Sequence, residues 1–334
     1  MTRLDNVSPA LRHVWHPIGR IESFGEIPTR VEVVGQAYVV ARIGDGIRAF
    51  VDVCPHRFAR LSDGRVIDDR IECPYHGWQF SADGACAYSP ALGEEATPPP
   101  ARLTAPRLQE RYGLVWLAPD EPVTDILAIP EWDDPELEKV WIPPVDVRAG
   151  AAQIMDNFLD FAHFPFVHAG TFGSDKDRLV GDYSTSRTED GWGFVVEYPH
   201  VIENHEDPLV ATGRNPLVQP REMRYDFRAP FTANLRLHLP LTGMVNAIVL
   251  WCQPVNGDTT RVHMVMLRND CRSESDRRVA IDYELAIFTE DRWILERLPD
   301  TAFPLDRGQV HIRSDRHTVE FRRILQRLVD RTTA

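Results

Sequence analysis

Two short loops constrain this chain more than any other feature. Cys54-Pro55-His56 and Cys73-Pro74-Tyr75-His76 each pair one thiol with one imidazole, and sixteen residues separate His56 from Cys73. That interval is long enough for a hairpin that brings the loops face to face. One Cys and one His per loop is the alternation required by a [2Fe–2S] cluster in which one iron takes both cysteines and the other both histidines. A zinc ion also accepts two Cys and two His. Zinc fingers, however, draw both cysteines from one loop and both histidines from another. Neutral imidazoles in place of two thiolates lower the cluster's negative charge and raise its potential. The prolines after Cys54 and Cys73 stiffen both loops, so little reorganisation accompanies an arriving electron.

The surrounding sequence is all-β in character. Residues 31–43 and 47–53 read as strands about the Gly44-Asp45-Gly46 turn, and residues 65–72 as the strand before the second loop. At 334 residues the chain exceeds a lone cluster domain and is long enough for a second core. Residues 119–144, with Pro122, Pro130, Pro135, Pro143 and Pro144 among acidic residues, read as a linker. Beyond it the pattern predicts a helix near 151–164 and strands at 192–198, 222–239, 244–252 and 260–268. Helices follow at 273–298, with Ser273 and Asp276 in capping positions, and at 315–331, with Val319, Ile324, Leu325, Leu328 and Val329 on one stripe. The expected class is α+β: an N-terminal domain over 1–145 carrying the cluster, and a second domain over 146–334 with an antiparallel sheet.

Charge and cysteine usage narrow the partners. A net charge of −13 argues against nucleic acid, whose binding rests on basic residues meeting phosphates. No run of about 18 apolar residues predicts a membrane span. The N-terminus has no apolar leader segment. With Cys54 and Cys73 assigned, Cys86, Cys252 and Cys271 are expected as reduced, buried thiols, consistent with a cytoplasmic protein.

A second site is written into residues 156–168. Asp156, Asp160 and His163 recur at helical spacing. His163 and His168, five apart, would diverge on an unbroken helix, but Pro165 breaks it after Phe164 and can swing His168 back. Two imidazoles and one carboxylate form the facial triad of non-haem Fe(II) oxygenases, leaving coordination positions for dioxygen and substrate. Glu290 and Asp291, adjacent on an amphipathic helix, both offer the carboxylate. His13, His16, His200, His205, His238, His263, His311 and His317 show no ligand pattern and read as structural or solvated, with His238 considered for a pocket wall.

With these motifs the chain resembles the oxygenase (α) component of Rieske non-haem iron oxygenases. Cys54-Pro55-His56-Arg57 and Cys73-Pro74-Tyr75-His76-Gly77-Trp78 match the family's cluster loops. Asn157, Asp160, His163 and His168 match its iron motif, and Glu290-Asp291 with Glu296 its C-terminal carboxylate motif. The chain's size and the loop from Cys54 to Ser62 look most like the homotrimeric vanillate O-demethylase-type branch. Arg60, Gln79 and Leu298 depart from common family residues, and none of them is a ligand position. The resemblance implies a helix-grip catalytic domain with Asp291 as third iron ligand. It also implies that Asp160 links the iron to a cluster histidine of a neighbouring subunit, so that electrons leave through His76, and it leaves Asn157 near the iron to order a water or substrate.

The chain has no dinucleotide fingerprint, so a separate reductase fed by NADH or NADPH must supply electrons. The expected reaction is O2-dependent hydroxylation, or O- or N-demethylation, of an aromatic or polycyclic small molecule. A hydroxylase of a steroid-like or alkaloid substrate and an electron carrier with a hydrophobic-ligand domain are the alternatives. Phe231, Leu235, Met244, Ile248 and the loop after His168 are the candidate pocket lining.

Overall fold

The computed structural model describes residues 2–173, 178–204, 207–306 and 308–333. His205 lies outside them. The chain divides into two units, Leu11–Val123 and a second made of Met1–Ala10 with Thr124–Ala334. The division therefore falls near 124 rather than at 146. Two pairings account for this. Arg3–Leu4 bonds to Phe303–Pro304. The segment expected to be a linker ends in Glu138–Val147, an edge strand of the second unit's sheet. Pro143 and Pro144 sit where that strand's register shifts, between Ile142 and Val145. At an edge bulge their missing N–H groups interrupt no ladder.

The first unit is built from three small antiparallel sheets. The run read as one strand over 31–43 is a hairpin, Thr29–Val33 and Gln36–Ile43, turning at Val34 and Gly35 with φ of 53° and 73°. A valine in the left-handed region carries no turn signal, so the hairpin was hidden in the sequence. Gly46–Val51 completes that sheet and leads to the first loop, while Arg70–Glu72 leads to the second. Val39, Ile43, Phe50, Leu61, Ile71 and Phe80 pack together around Cys54 and Cys73.

The second unit is a seven-stranded antiparallel sheet. Its strands are β1 (Glu138–Val147), β2 (Ser184–Arg187), β3 (Gly193–Glu203), β4 (Val218–Arg228), β5 (Thr232–Leu239), β6 (Met244–Pro254) and β7 (Thr260–Arg268), in the order β1-β7-β6-β5-β4-β3-β2. The run expected over 222–239 is thus two strands, joined through a cis Ala229–Pro230 bond. β6 is buried from Asn246 to Pro254 on both faces, as its unbroken apolar run requires.

Apart from a single turn at Pro208–Ala211, the α-helices described in this unit are α1 (Ala151–Leu159), α2 (Phe164–Val167), α3 (Glu274–Leu295) and α4 (Arg316–Thr333). α3 starts as expected: Ser273 Oγ accepts from the Asp276 N–H at 3.1 Å, and the Asp276 carboxylate accepts from the Ser273 N–H at 2.8 Å. α4 buries Phe321, Ile324, Leu325 and Leu328, with Val319 and Val329 only half-buried. The expected break after Phe164 occurs instead at Asp160, the C-cap of α1. Pro165 opens the short α2 rather than ending α1, because a first-turn proline has no intrahelical N–H to lose. Among the described residues, no helix is long and apolar enough to cross a membrane.

Candidate cluster and metal sites

The two cluster loops are built alike. Each cysteine N–H donates to the carbonyl five residues on, Cys54 to Ala59 and Cys73 to Trp78, both at 2.8 Å. Each cysteine carbonyl accepts from the N–H four residues on, Phe58 at 2.9 Å and Gly77 at 3.1 Å. Phe58 and Gly77 close the loops at φ of 60° and 68°. Both sulfurs end up buried, and the His56 and His76 rings approach to 4.5 Å between centroids. Trp78 stacks flat on His56 at 4.4 Å, fixing that ring's plane.

The chemistry of these donors fits an iron–sulfur cluster. Burial pushes the Cys54 thiol up to about 11, so a thiolate there needs a cationic metal beside it. His56 Nδ1 is buried without a hydrogen-bond partner among the described residues, an imidazole nitrogen held for a ligand. Burial, with His76 and Arg57 nearby, holds the His56 ring below the usual imidazole value, so it presents a lone pair.

In the second unit, the end of α1, the two ends of α2 and the C-terminal turns of α3 converge. His163 Nε2 lies 3.0 Å from His168 Nε2 and 3.4 Å from Asp291 Oδ1, while His168 Nε2 lies 3.3 Å from Asp291 Oδ1. Donors about 2.1 Å from one ion and cis to each other sit about 3.0 Å apart, so the triangle fits a single iron with open positions. His163 is one residue before α2 and His168 one residue after it, so this single turn does the folding back that the sequence assigned to a kink.

Each imidazole is held at its other nitrogen. Asp160 Oδ2 faces His163 Nδ1 at 3.4 Å, and Glu290 Oε2 faces His168 Nδ1 at 2.9 Å. Both contacts favour Nδ1–H and turn the Nε2 lone pairs toward Asp291. Burial works against charge on His168, but Asp291 and Glu290 together carry it above the usual imidazole value. Burial likewise opposes charge on Asp160, yet His163 and the Ala162 N–H keep its carboxyl below the ordinary range. Asn157 Nδ2 donates to Asp291 Oδ1 at 3.2 Å.

Other expectations resolve differently. Asp156 is turned away from His163 and binds Arg322 through both oxygens, at 2.6 and 2.8 Å. Glu296 accepts from Arg292 at 2.8 Å at the end of α3 and is not in the triad. The role of Glu290 was missed: residues 290 and 291 differ by about 100° around the helix, yet His168 lies between their directions and meets both. Thr171 was missed too; its hydroxyl donates to Glu290 Oε2 at 2.8 Å. No sequence spacing marks that contact, since Thr171 lies in the loop after α2.

A cavity of about 170 Å³ opens beside the triad, walled by β3–β7, α3 and the loop after His168. Leu235, Met244 and Ile248 line it as expected, with Leu237, Leu239, Leu250, Met264 and Phe288. Phe231 does not, because it is buried in the turn between β4 and β5. His238 alternates with Leu237 and Leu239 to the opposite face and bonds to Glu222 at 2.9 Å.

Known proteins carry the same two parts. The Rieske [2Fe–2S] domain model matches residues 14–105, and that of the vanillate O-demethylase oxygenase C-terminal domain matches residues 147–331. Methylxanthine N1-demethylase NdmA of Pseudomonas putida is 28% identical over 95% of this chain and 89% of its own. The oxygenase component of dicamba O-demethylase from Stenotrophomonas maltophilia is 32% identical over 52% of this chain and 53% of its own. The structure of Pseudomonas putida CBB5 NdmA with caffeine matches at a TM-score of 0.83 and 28% identity, covering 98% of this chain and 93% of that one. With the second domain match alone spanning more than half its length, the chain belongs to the vanillate O-demethylase-type Rieske non-haem iron oxygenases, oxygenase components that hold a [2Fe–2S] cluster and a mononuclear iron.

Proposed function

We propose that this chain is a terminal oxygenase that removes an O- or N-methyl group from an aromatic or heterocyclic small molecule, using O2 and electrons from a separate NAD(P)H-dependent reductase. The observation that carries this reading is the triangle of His163, His168 and Asp291 donor atoms, all within 3.4 Å of one another, at the wall of an apolar cavity. An electron carrier would have no use for it. The demethylases among the relatives support the reaction type.

In this reading Cys54, Cys73, His56 and His76 hold the cluster, and His163, His168 and Asp291 hold the iron. The bound iron supplies the activation of O2 for insertion into a C–H bond. The chain's own groups prepare for it. Asp160 and Glu290 hold the imidazole N–H groups so that both Nε2 atoms face one point. The Asn157 amide holds Asp291 Oδ1 in place. Leu235, Leu237, Ile248 and Leu250 exclude water and lay an apolar ring against the triad. A methyl group on oxygen or nitrogen, once hydroxylated, leaves as formaldehyde. We place the protein in the cytoplasm as a homotrimer, with Asp160 receiving electrons from His76 of an adjacent subunit.

The test is a screen of methoxy- and N-methyl-aromatics with NADH and a general reductase, read as formaldehyde. Asp291→Ala should abolish formaldehyde while keeping the cluster's visible absorbance. A variant that still releases formaldehyde at the wild-type rate overturns the assignment.

A further inference from the structure

The buried stripe of α3 runs Ala280, Glu284, Phe288, Asp291, Leu295, at spacings of four, four, three and four residues. Two carboxylates therefore interrupt an otherwise apolar face. Asp291 belongs to the triad. Glu284 does not, and nothing described so far uses it. Its side chain lines the cavity two helical turns from Asp291, about 10 Å along the helix axis.

Glu284 is only 8% exposed, and none of the described residues gives it a hydrogen bond. Buried carboxyls without a partner are costly, so a fold retains one where something else supplies the hydrogen bond. The other charged groups on the cavity wall have partners of their own. Arg268 grips Asp270 through two hydrogen bonds of 2.8 Å, and Arg221 donates to His200 Nε2 at 2.9 Å. Glu203 is likewise partnered. Burial raises the Glu284 carboxyl to about 7, against the pull of Arg268, so a nearby donor or cation readily secures its anionic form.

We propose that Glu284 sets the substrate class: its carboxyl accepts a hydrogen bond from an N–H group, neutral or cationic, of an aromatic or heterocyclic substrate and disfavours aromatic carboxylates. The donor nitrogen then sits at one end of the cavity and the methyl group to be removed at the other, within the two-turn span between residues 284 and 291. An aromatic carboxylate would place a second anion against Glu284, with Arg268 already committed to Asp270. This inference rests on the cavity being the substrate site of the oxygenase proposed above.

The test uses the cluster- and iron-loaded protein and three probes that share an aryl methoxy group: 4-methoxybenzylamine, 4-methoxytoluene and 4-methoxybenzoate. Calorimetric titration should show the amine binding roughly tenfold or more tighter than the benzoate. Glu284→Gln should weaken the amine by a similar factor and leave methoxytoluene unchanged. Iron content and visible absorbance of the variant establish that it is folded. A wild-type protein that binds the amine no tighter than the benzoate, or not at all, overturns the proposal, as does unchanged amine affinity in Glu284→Gln. Formaldehyde is measured in parallel. Discrimination without formaldehyde from any probe counts against demethylation alone, and formaldehyde with a preference for benzoate counts against Glu284 alone.

Discussion

Glu290 offers the sharpest quantitative test of the metal site, because it touches no proposed open position yet holds a ligand. Its Oε2 faces His168 Nδ1 at 2.9 Å and is itself steadied by the Thr171 hydroxyl at 2.8 Å. Glu290→Ala removes one charge-assisted hydrogen bond, of about 1.5–3 kcal/mol. With it goes the preference for the tautomer that aims His168 Nε2 at the triad. Fe(II) affinity should fall about 10- to 100-fold, the usual range for loss of a carboxylate behind a metal-bound histidine. Glu290→Gln keeps an acceptor oxygen but no charge, so it should lose less than Ala if orientation is what matters. The assay is anaerobic Fe(II) titration of iron-stripped, cluster-containing protein against a competing chelator, with the cluster's visible spectrum as internal control. Wild-type Fe(II) affinity in Glu290→Ala would refute the argument. Equal losses in Gln and Ala would show that charge, not orientation, is at work.

Three further outcomes follow from other parts of the fold. Arg322→Met strands Asp156, whose carboxyl burial already pushes upward, and should cost about 3–5 kcal/mol in denaturant unfolding. Adding Asp156→Leu should recover most of that loss, and a single-variant cost under about 1 kcal/mol would contradict the buried-pair reasoning. Gly77→Ala places a methyl 2.9 Å from Pro90 Cγ at φ +68°, so cluster absorbance should bleach at lower temperature than in wild type; an unchanged bleaching profile would count against strain in that loop. His16, His200 and His263 are held neutral, with burial lowering them to about 4, 3 and 3. The unfolded chain protonates them near 6.5, so their contribution is intact above that pH and is lost as pH falls toward 4. The slope is about 1.4 kcal/mol per pH unit per histidine. Unfolding scans from pH 7 to 5 should show this loss, with His16→Asn flattening it; a flat wild-type profile would refute it.

Legibility in the sequence followed the range of the interactions involved. The cluster loops could be read because all four donors lie within 23 residues, 54–76, and one short hairpin suffices to gather them. The cap of α3 was equally plain, since Ser273 and Asp276 satisfy each other within one turn. The hairpin at Val34 was not, because its turn is imposed on a β-branched residue by strand pairing on both sides. Nor was the end of the supposed linker, where Pro143 and Pro144 disguise an edge strand whose partner lies more than 100 residues away.

The metal site divides along the same line. Residue identities and local spacing alone marked His163, His168 and the Glu290-Asp291 pair as candidate donors. The family resemblance implied Asp291 as the third ligand, but spacing left the two carboxylates equal. The physical choice of which meets both Nε2 atoms and which holds His168 from behind is made where α3 docks beside α1 and α2. A helix presents adjacent residues in directions 100° apart, and only the docked neighbour determines what lies in each direction. Packing of α4 against α1 turned Asp156 to Arg322 rather than toward His163, and the packing of α3 left Glu284 inside the cavity without a hydrogen bond from any described residue.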